Sequence, residues 1–146
     1  MINEKIKDKK QIPVLFVMRT NKNGNLTKNS TNEDFREVAL TPIDIYSSYI
    51  DIGMSKRNDM KYKEALKAFS AAIDIDDSQA SAYFNRAIVK EELKDYEGAL
   101  NDYDQVIYLD NHYTEAYIYR GELKAILKDD MGSIRDFLLA IYYKIK

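Results

Sequence analysis

The stretch Tyr83-Phe84-Asn85-Arg86-Ala87, running on through Asp95-Tyr96-Glu97-Gly98-Ala99-Leu100 to Leu109-Asp110, decides the fold. In its first half Tyr83, Ala87, Val89 and Leu93 recur at near-helical spacing. In its second half Tyr96, Ala99, Leu100, Tyr103, Val106, Ile107 and Leu109 form a broad apolar stripe of helical period. Lys94-Asp95 interrupts the pattern between them, and Asp95 is a residue that caps a following helix. The stretch therefore reads as two helices joined by a tight turn.

Shifting the chain by 34 residues brings this hairpin into register with its neighbours. Tyr49, Tyr83 and Tyr117 align, then Gly53, Ala87 and Gly121, then Ala65, Ala99 and Ser133. Phe69, Tyr103 and Phe137 form an aromatic column, followed by Ala72, Val106 and Ala140, and by Ile73, Ile107 and Ile141. Three units result, 46–79, 80–113 and 114–146. The small residues let paired helices approach closely, and the aromatic column fills the space toward the next unit. Asp76-Asp77-Ser78 and Asp110-Asn111-His112 are short polar junctions with capping side chains. Thr41-Pro42 opens the first helix as a cap followed by Pro at the first helical position.

On these residues the chain resembles the tetratricopeptide repeat family, over residues 46–146. The resemblance implies an all-α fold, a right-handed α-α superhelix of three helix-turn-helix repeats, whose first helices line a concave groove. It departs from the family at the unit junctions, where Asp77, Asn111 and Ile145 replace the usual Pro. A lysine column, Lys56/Lys90/Lys124, stands where an aromatic is common; it reads as long stems on the core with the ammonium groups in water.

The rest of the composition removes other classes of function. The 146 residues hold 22 Lys+Arg against 24 Asp+Glu, a net −2 that disfavours nucleic-acid binding. No cysteine and one histidine, His112, exclude thiol chemistry and multi-histidine metal sites and fit a reducing compartment. The apolar run Ile12–Met18 is interrupted by Pro13, has no cleavage pattern, and is too short for a membrane span. The expectation is a cytoplasmic protein without membrane contact. Acidic pairs such as Asp76-Asp77, Glu91-Glu92 and Asp129-Asp130 lie on helix surfaces and turns, with no positioned base beside them, so no enzyme, cofactor or metal is expected.

A second apolar stripe, one position beyond the core stripe of the first helices, points to a binding surface. Ile50 and Met54, Phe84 and Ile88, and Ile118 with Ile126 compose it, with Asn58, Asn85, Glu91, Glu92, Glu115 and Glu122 around them; the alternative is that the N-terminal arm or a partner subunit covers this stripe. An apolar floor with an acidic rim suits a protein or peptide offering apolar side chains plus Lys or Arg. Some members of the family hold an acidic C-terminal carboxylate with a Lys, Asn and Arg clamp. Here Ile50, Met54, Asn85, Glu115 and Tyr119 occupy those positions, and Asn85 alone fits.

Both ends differ from the middle. Residues 1–41 carry 8 Lys+Arg and 5 Asp+Glu, whereas 42–146 carry 14 and 19, so the chain reads as a basic N-terminal extension before an acidic repeat domain. Within the extension, Asn21–Asn25 reads as a turn between Val14–Thr20 and a return segment, the alternative being disorder over 20–31, and Thr31–Leu40 as a short capped helix near 32–40. Ile12–Met18 is expected to pack on the repeats. The last helix, within 131–146, is apolar on more than one side, which predicts homo-oligomers formed end to end or side by side, with a structural subunit as the alternative function, or else an N-terminal arm folded back over it.

Overall fold

The computed structural model describes residues 17–20, 36–39 and 41–146. The chain divides into two compact units, Met1–Asp44 and Ile45–Lys146. In the first, β1 (Val17–Thr20) pairs antiparallel with β2 (Arg36–Ala39), Val17 opposite Ala39 and Thr20 opposite Arg36. The helix expected near 32–40 is thus a strand at 36–39. A helix this short nucleates poorly, and pairing with β1 satisfies the backbone groups that an isolated turn leaves open. The expected turn at 21–25 lies outside the described residues, as does the apolar run 12–18 apart from the backbone of Val17 and Met18.

Six helices follow among the described residues: α1 (Pro42–Asn58), α2 (Tyr62–Ile75), α3 (Ala80–Glu92), α4 (Tyr96–Leu109), α5 (Thr114–Ile126) and α6 (Asp130–Ile145). They make three hairpins, α1/α2, α3/α4 and α5/α6. Thr41 and Asp44 cap α1 reciprocally: the Asp44 carboxylate accepts from the Thr41 N–H at 2.8 Å, and the Thr41 hydroxyl accepts from the Asp44 N–H at 3.3 Å.

The turn inside each hairpin repeats the same geometry. Met60, Lys94 and Lys128 adopt left-handed φ of 59°, 61° and 63°. The next N–H then reaches back five residues, Lys61 to Lys56, Asp95 to Lys90 and Asp129 to Lys124, at 2.8–2.9 Å. This closure satisfies carbonyls that a helix end would otherwise leave open. Asp95 and Asp129 accept from the Gly98 and Gly132 N–H groups at 3.1 and 3.0 Å and so cap α4 and α6.

The 34-residue columns are where the hairpins close. Gly53, Ala87 and Gly121 are buried against the second helices, and Ala65, Ala99 and Ser133 are buried opposite them. Phe69 and Tyr103 are fully buried, whereas the equivalent Phe137 at the end of the stack is 37% exposed. Between hairpins, Ala82 of α3 joins Tyr46 and Ala72, and Val89 joins Ala65 and Phe69. Ala116 and Leu123 of α5 pack in the same way on Ala99, Tyr103 and Val106. Each unit hides its apolar side on the next, as expected of a helical-repeat solenoid.

The lysine column behaves differently from its reading as solvated stems. Asp102 and Asp136 are buried carboxylates, and Lys90 and Lys124 reach them at 2.8 and 2.9 Å. Arg86 and Arg120 complete each cluster, also reaching Ser70 and Asp104 of the preceding hairpin. A buried carboxylate needs such partners, and here they draw the ammonium groups inward. Lys56, lacking a buried acid, pairs with the exposed Glu64 at 2.8 Å.

Candidate functional site

The first helices α1, α3 and α5 present the surface where a groove is expected. At its centre is a pocket of about 490 Å³. Phe84, Asn85, Ile88 and Glu92 of α3 line it, together with Arg57 and Asn58 of α1, Tyr62 at the start of α2, and Tyr119 of α5. The ring of Phe84 meets Tyr113 at 5.0 Å and Tyr119 edge-on at 5.3 Å, and it lies 5.9 Å from Tyr103. Such tilted and edge-on arrangements are the favoured ones for aromatic pairs. Phe84 and Tyr119 thus form an aromatic platform in the pocket, whose exposed lining is otherwise mostly polar.

Polar groups are fixed around that platform. Asn85 donates through Nδ2 to the Ser81 carbonyl at 2.8 Å, which orients its amide so that Oδ1 accepts from Arg57 Nη1 at 3.4 Å. On the opposite side Tyr103 donates its hydroxyl to Glu91. Burial pushes the Glu91 carboxyl above the usual carboxylate range against that hydrogen bond, and the charges of Glu122 and Glu92 push the same way. Burial and Glu91 together push the Tyr103 hydroxyl far up, so it stays a donor. The site thus offers one guanidinium, two side-chain amides and a cluster of three carboxylates that repel one another.

The expected site residues divide among several places. Phe84, Asn85, Ile88 and Glu92 share the pocket, whereas Glu91 does not line it and is tied to the buried Tyr103, which packs beside Phe84. Glu122 acts on Glu91 through its charge, and Glu115 is exposed on the first turn of α5. Ile50 instead packs into the core between hairpins one and two, beside Tyr46 and Ala65. Met54 is 40% exposed and outside the pocket lining. Ile118 borders a separate depression between α5 and α6, with Phe137 and Ile141. Arg57, Tyr62 and Tyr119 line the pocket without belonging to the apolar stripe, so helical spacing does not reveal them. Arg57 and Tyr62 flank a hairpin turn, and the chain reversal at Met60 brings them together.

Among the described residues no group of three or more His, Cys, Asp or Glu side chains is arranged to hold a metal ion. No described helix is long and apolar enough to cross a membrane.

A solenoid of stacked helical hairpins with a pocket on its first-helix face defines the class. Residues 80–113, the second hairpin, match the tetratricopeptide repeat family, and the hairpins on either side repeat its turn geometry and small and aromatic columns at a spacing of 34 residues. Solved structures of similar fold agree. The second repeat domain of Spaghetti (RPAP3), bound to the HSP90 peptide SRMEEVD, is 27% identical with a TM-score of 0.65, covering 68% of this chain and 92% of that one. The second such domain of human RPAP3, in complex with the HSP70 peptide SGPTIEEVD, is also 27% identical, with a TM-score of 0.67 and coverage of 70% and 86%. A tetratricopeptide repeat protein from Parabacteroides merdae is 28% identical, with a TM-score of 0.67 over 73% of this chain and 41% of its own. No curated protein matches the sequence.

Proposed function

We propose that residues 45–146 are a non-enzymatic interaction module that binds a peptide or protein segment across the first-helix face, in a cytoplasmic setting. The observation that carries this reading is the Phe84–Tyr119 platform flanked by Arg57 and Asn85 on one side and Glu91, Glu92 and Glu122 on the other. An aliphatic or aromatic side chain fills the pocket, a backbone carbonyl accepts from Arg57 or Asn58, and a Lys or Arg meets the carboxylates. Two similar domains are bound to chaperone peptides, which supports a peptide as the class of ligand.

The peptide differs in charge from those two. Both of theirs end in Glu-Glu-Val-Asp. Here Ile50, Met54, Glu115 and Tyr119 provide no cation at the carboxylate-clamp positions, and three carboxylates stand near the pocket. Like charges across an interface discriminate strongly against a ligand.

Titration calorimetry with two peptides tests this: one apolar and basic, one being SRMEEVD. The first binds and weakens as salt is added, and Tyr119→Ala and Glu92→Lys each weaken it with the helical signal intact. Micromolar binding of SRMEEVD, or basic-peptide binding untouched by both substitutions, overturns the reading.

A further inference from the structure

Helix α6 has two opposite working faces. Ser133, Asp136 and Ala140 are buried toward α5. On the other side Met131, Ile134, Leu138, Ile141 and Ile145 are 73%, 52%, 62%, 55% and 82% exposed. Their spacing alternates three and four residues, the a/d seam by which one helix lies along another.

The other second helices lack this seam. Leu66 and Ile73 of α2, and Leu100 and Ile107 of α4, match Ile134 and Ile141, and they are half-buried against the clusters that the next hairpin completes. The alternate row is polar in both. Lys63, Ser70 and Asp77 in the first unit, and Glu97, Asp104 and Asn111 in the second, stand where the third has Met131, Leu138 and Ile145. Two of those polar residues anchor the following first helix, since Ser70 receives Arg86 and Asp104 receives Arg120. A further repeat helix of this chain's kind, arriving at α6, would lay its arginine on Leu138. The apolar row fits another aliphatic seam instead.

The other end of the stack does not supply one. On α1, Ser48 and Ser55 are exposed at the positions where α3 has Ala82 and Val89, and α5 has Ala116 and Leu123, all four fully buried. Head-to-tail stacking would set those two serines on the α6 row. The seam that matches α6 in length and character is α6 itself. Its charges are arranged to suit, with Asp130 in the first turn and Lys144 and Lys146 at the end. Antiparallel helices bring Asp130 of each copy beside Lys144 of the partner subunit and oppose the helix dipoles. Beside the seam, the depression of about 410 Å³ floored by Ile118, Phe137, Ala140 and Ile141 has room for a flanking side chain.

We propose that two copies of this chain associate about a two-fold axis, α6 antiparallel to α6, through the row Met131, Ile134, Leu138, Ile141 and Ile145. This goes beyond peptide binding and uses a different face. A self-complementary surface closes at two copies, whereas a head-to-tail contact continues.

Sedimentation velocity on the whole chain across a dilution series tests it. The expected species has twice the 17.0 kDa mass and dissociates on dilution. Leu138→Glu raises the dissociation constant by roughly 30-fold or more, as loss of a central apolar anchor does, with the circular dichroism unchanged because Leu138 is exposed. Asp130→Lys raises it up to about fivefold, and adding Lys144→Asp restores it. A 17.0 kDa monomer throughout, a dimer indifferent to Leu138→Glu, or assembly that grows past the dimer or is abolished by Ser55→Glu overturns the proposal. An Asp130→Lys defect that Lys144→Asp fails to repair overturns the antiparallel register.

Discussion

Arg120 clasps Asp136 with two parallel hydrogen bonds, Nε to Oδ2 at 2.8 Å and Nη2 to Oδ1 at 2.6 Å. The same clasp joins Arg86 to Asp102 at 2.9 and 2.7 Å, 34 residues earlier. Each stitches the first helix of a hairpin to the second, and its remaining guanidinium nitrogen reaches the hairpin before. The first unit has no such clasp: Ile52 and Ala68 occupy the equivalent positions. One chain thus holds both an ionic and an apolar version of the same joint.

Removing one partner of a buried pair strands the other charges, so Asp136→Ala is expected to cost about 3–5 kcal/mol. Replacing the second unit's clasp by the first unit's residues, Arg86→Ile with Asp102→Ala, should cost much less than Asp102→Ala alone. Burial by itself would raise the Asp136 carboxyl, but Arg120 and Lys124 overcome it and hold the group below the usual range. Its stabilisation is therefore complete above the unfolded value near pH 4 and lost as pH falls through the lower folded value. Urea titrations in acid read both effects; an Asp136→Ala chain as stable as the parent would refute the account.

The hairpins are legible in the sequence because helix packing repeats one geometric problem. Gly53, Ala87 and Gly121 must be small, and Phe69 and Tyr103 must be large, so both columns persist at a spacing of 34. The clasps also stand at that spacing, as Arg86/Asp102 and Arg120/Asp136, but charged residues on a helix pattern read as a solvated face until their burial is known. The pocket is half legible. Phe84, Asn85, Ile88 and Glu92 lie on one helix face, whereas Arg57 and Tyr62 join them through a chain reversal at Met60. Strand β2 is hidden because its partner β1 ends 16 residues upstream, and local capping signals do not register that pairing.

Two glycines of the small column should respond oppositely to alanine. A Cβ on Gly53 would stand 2.4 Å from Cε1 of Phe69, whose ring is fully buried. Overpacking of about 1–3 kcal/mol then exceeds the gain of about 1 kcal/mol in helix propensity. A Cβ on Gly121 meets Phe137 at 3.2 Å and the Asp136 Cβ and Ser133 carbonyl at 3.3 Å, all milder approaches than at Gly53, and the Phe137 ring is 37% exposed and free to shift. Gly53→Ala is expected to destabilise and Gly121→Ala to be neutral or stabilising by up to about 1 kcal/mol. Thermal unfolding of the two variants decides it, and equal losses in both would show that the end hairpin is as tightly closed as the first.

Glu91 links the pocket to pH. Burial raises its carboxyl, and Glu122 and Glu92 add to the effect. Its folded value lies above the unfolded one, so the associated stability is present below the ordinary value of 4.5 and lost as pH rises through the folded value. Glu91→Gln keeps an acceptor for the Tyr103 hydroxyl but has no proton to lose. The variant should be more stable than the parent at neutral pH, and the slope in that window should disappear. A basic peptide favours the ionised carboxylate, so the parent should bind it more tightly as pH rises through the Glu91 value. Glu91→Gln should flatten that dependence and weaken neutral-pH binding by up to about fivefold. Urea titrations and calorimetry between about pH 4 and pH 8 measure both curves. A parent whose stability and peptide affinity ignore pH in that range would remove Glu91 from the site.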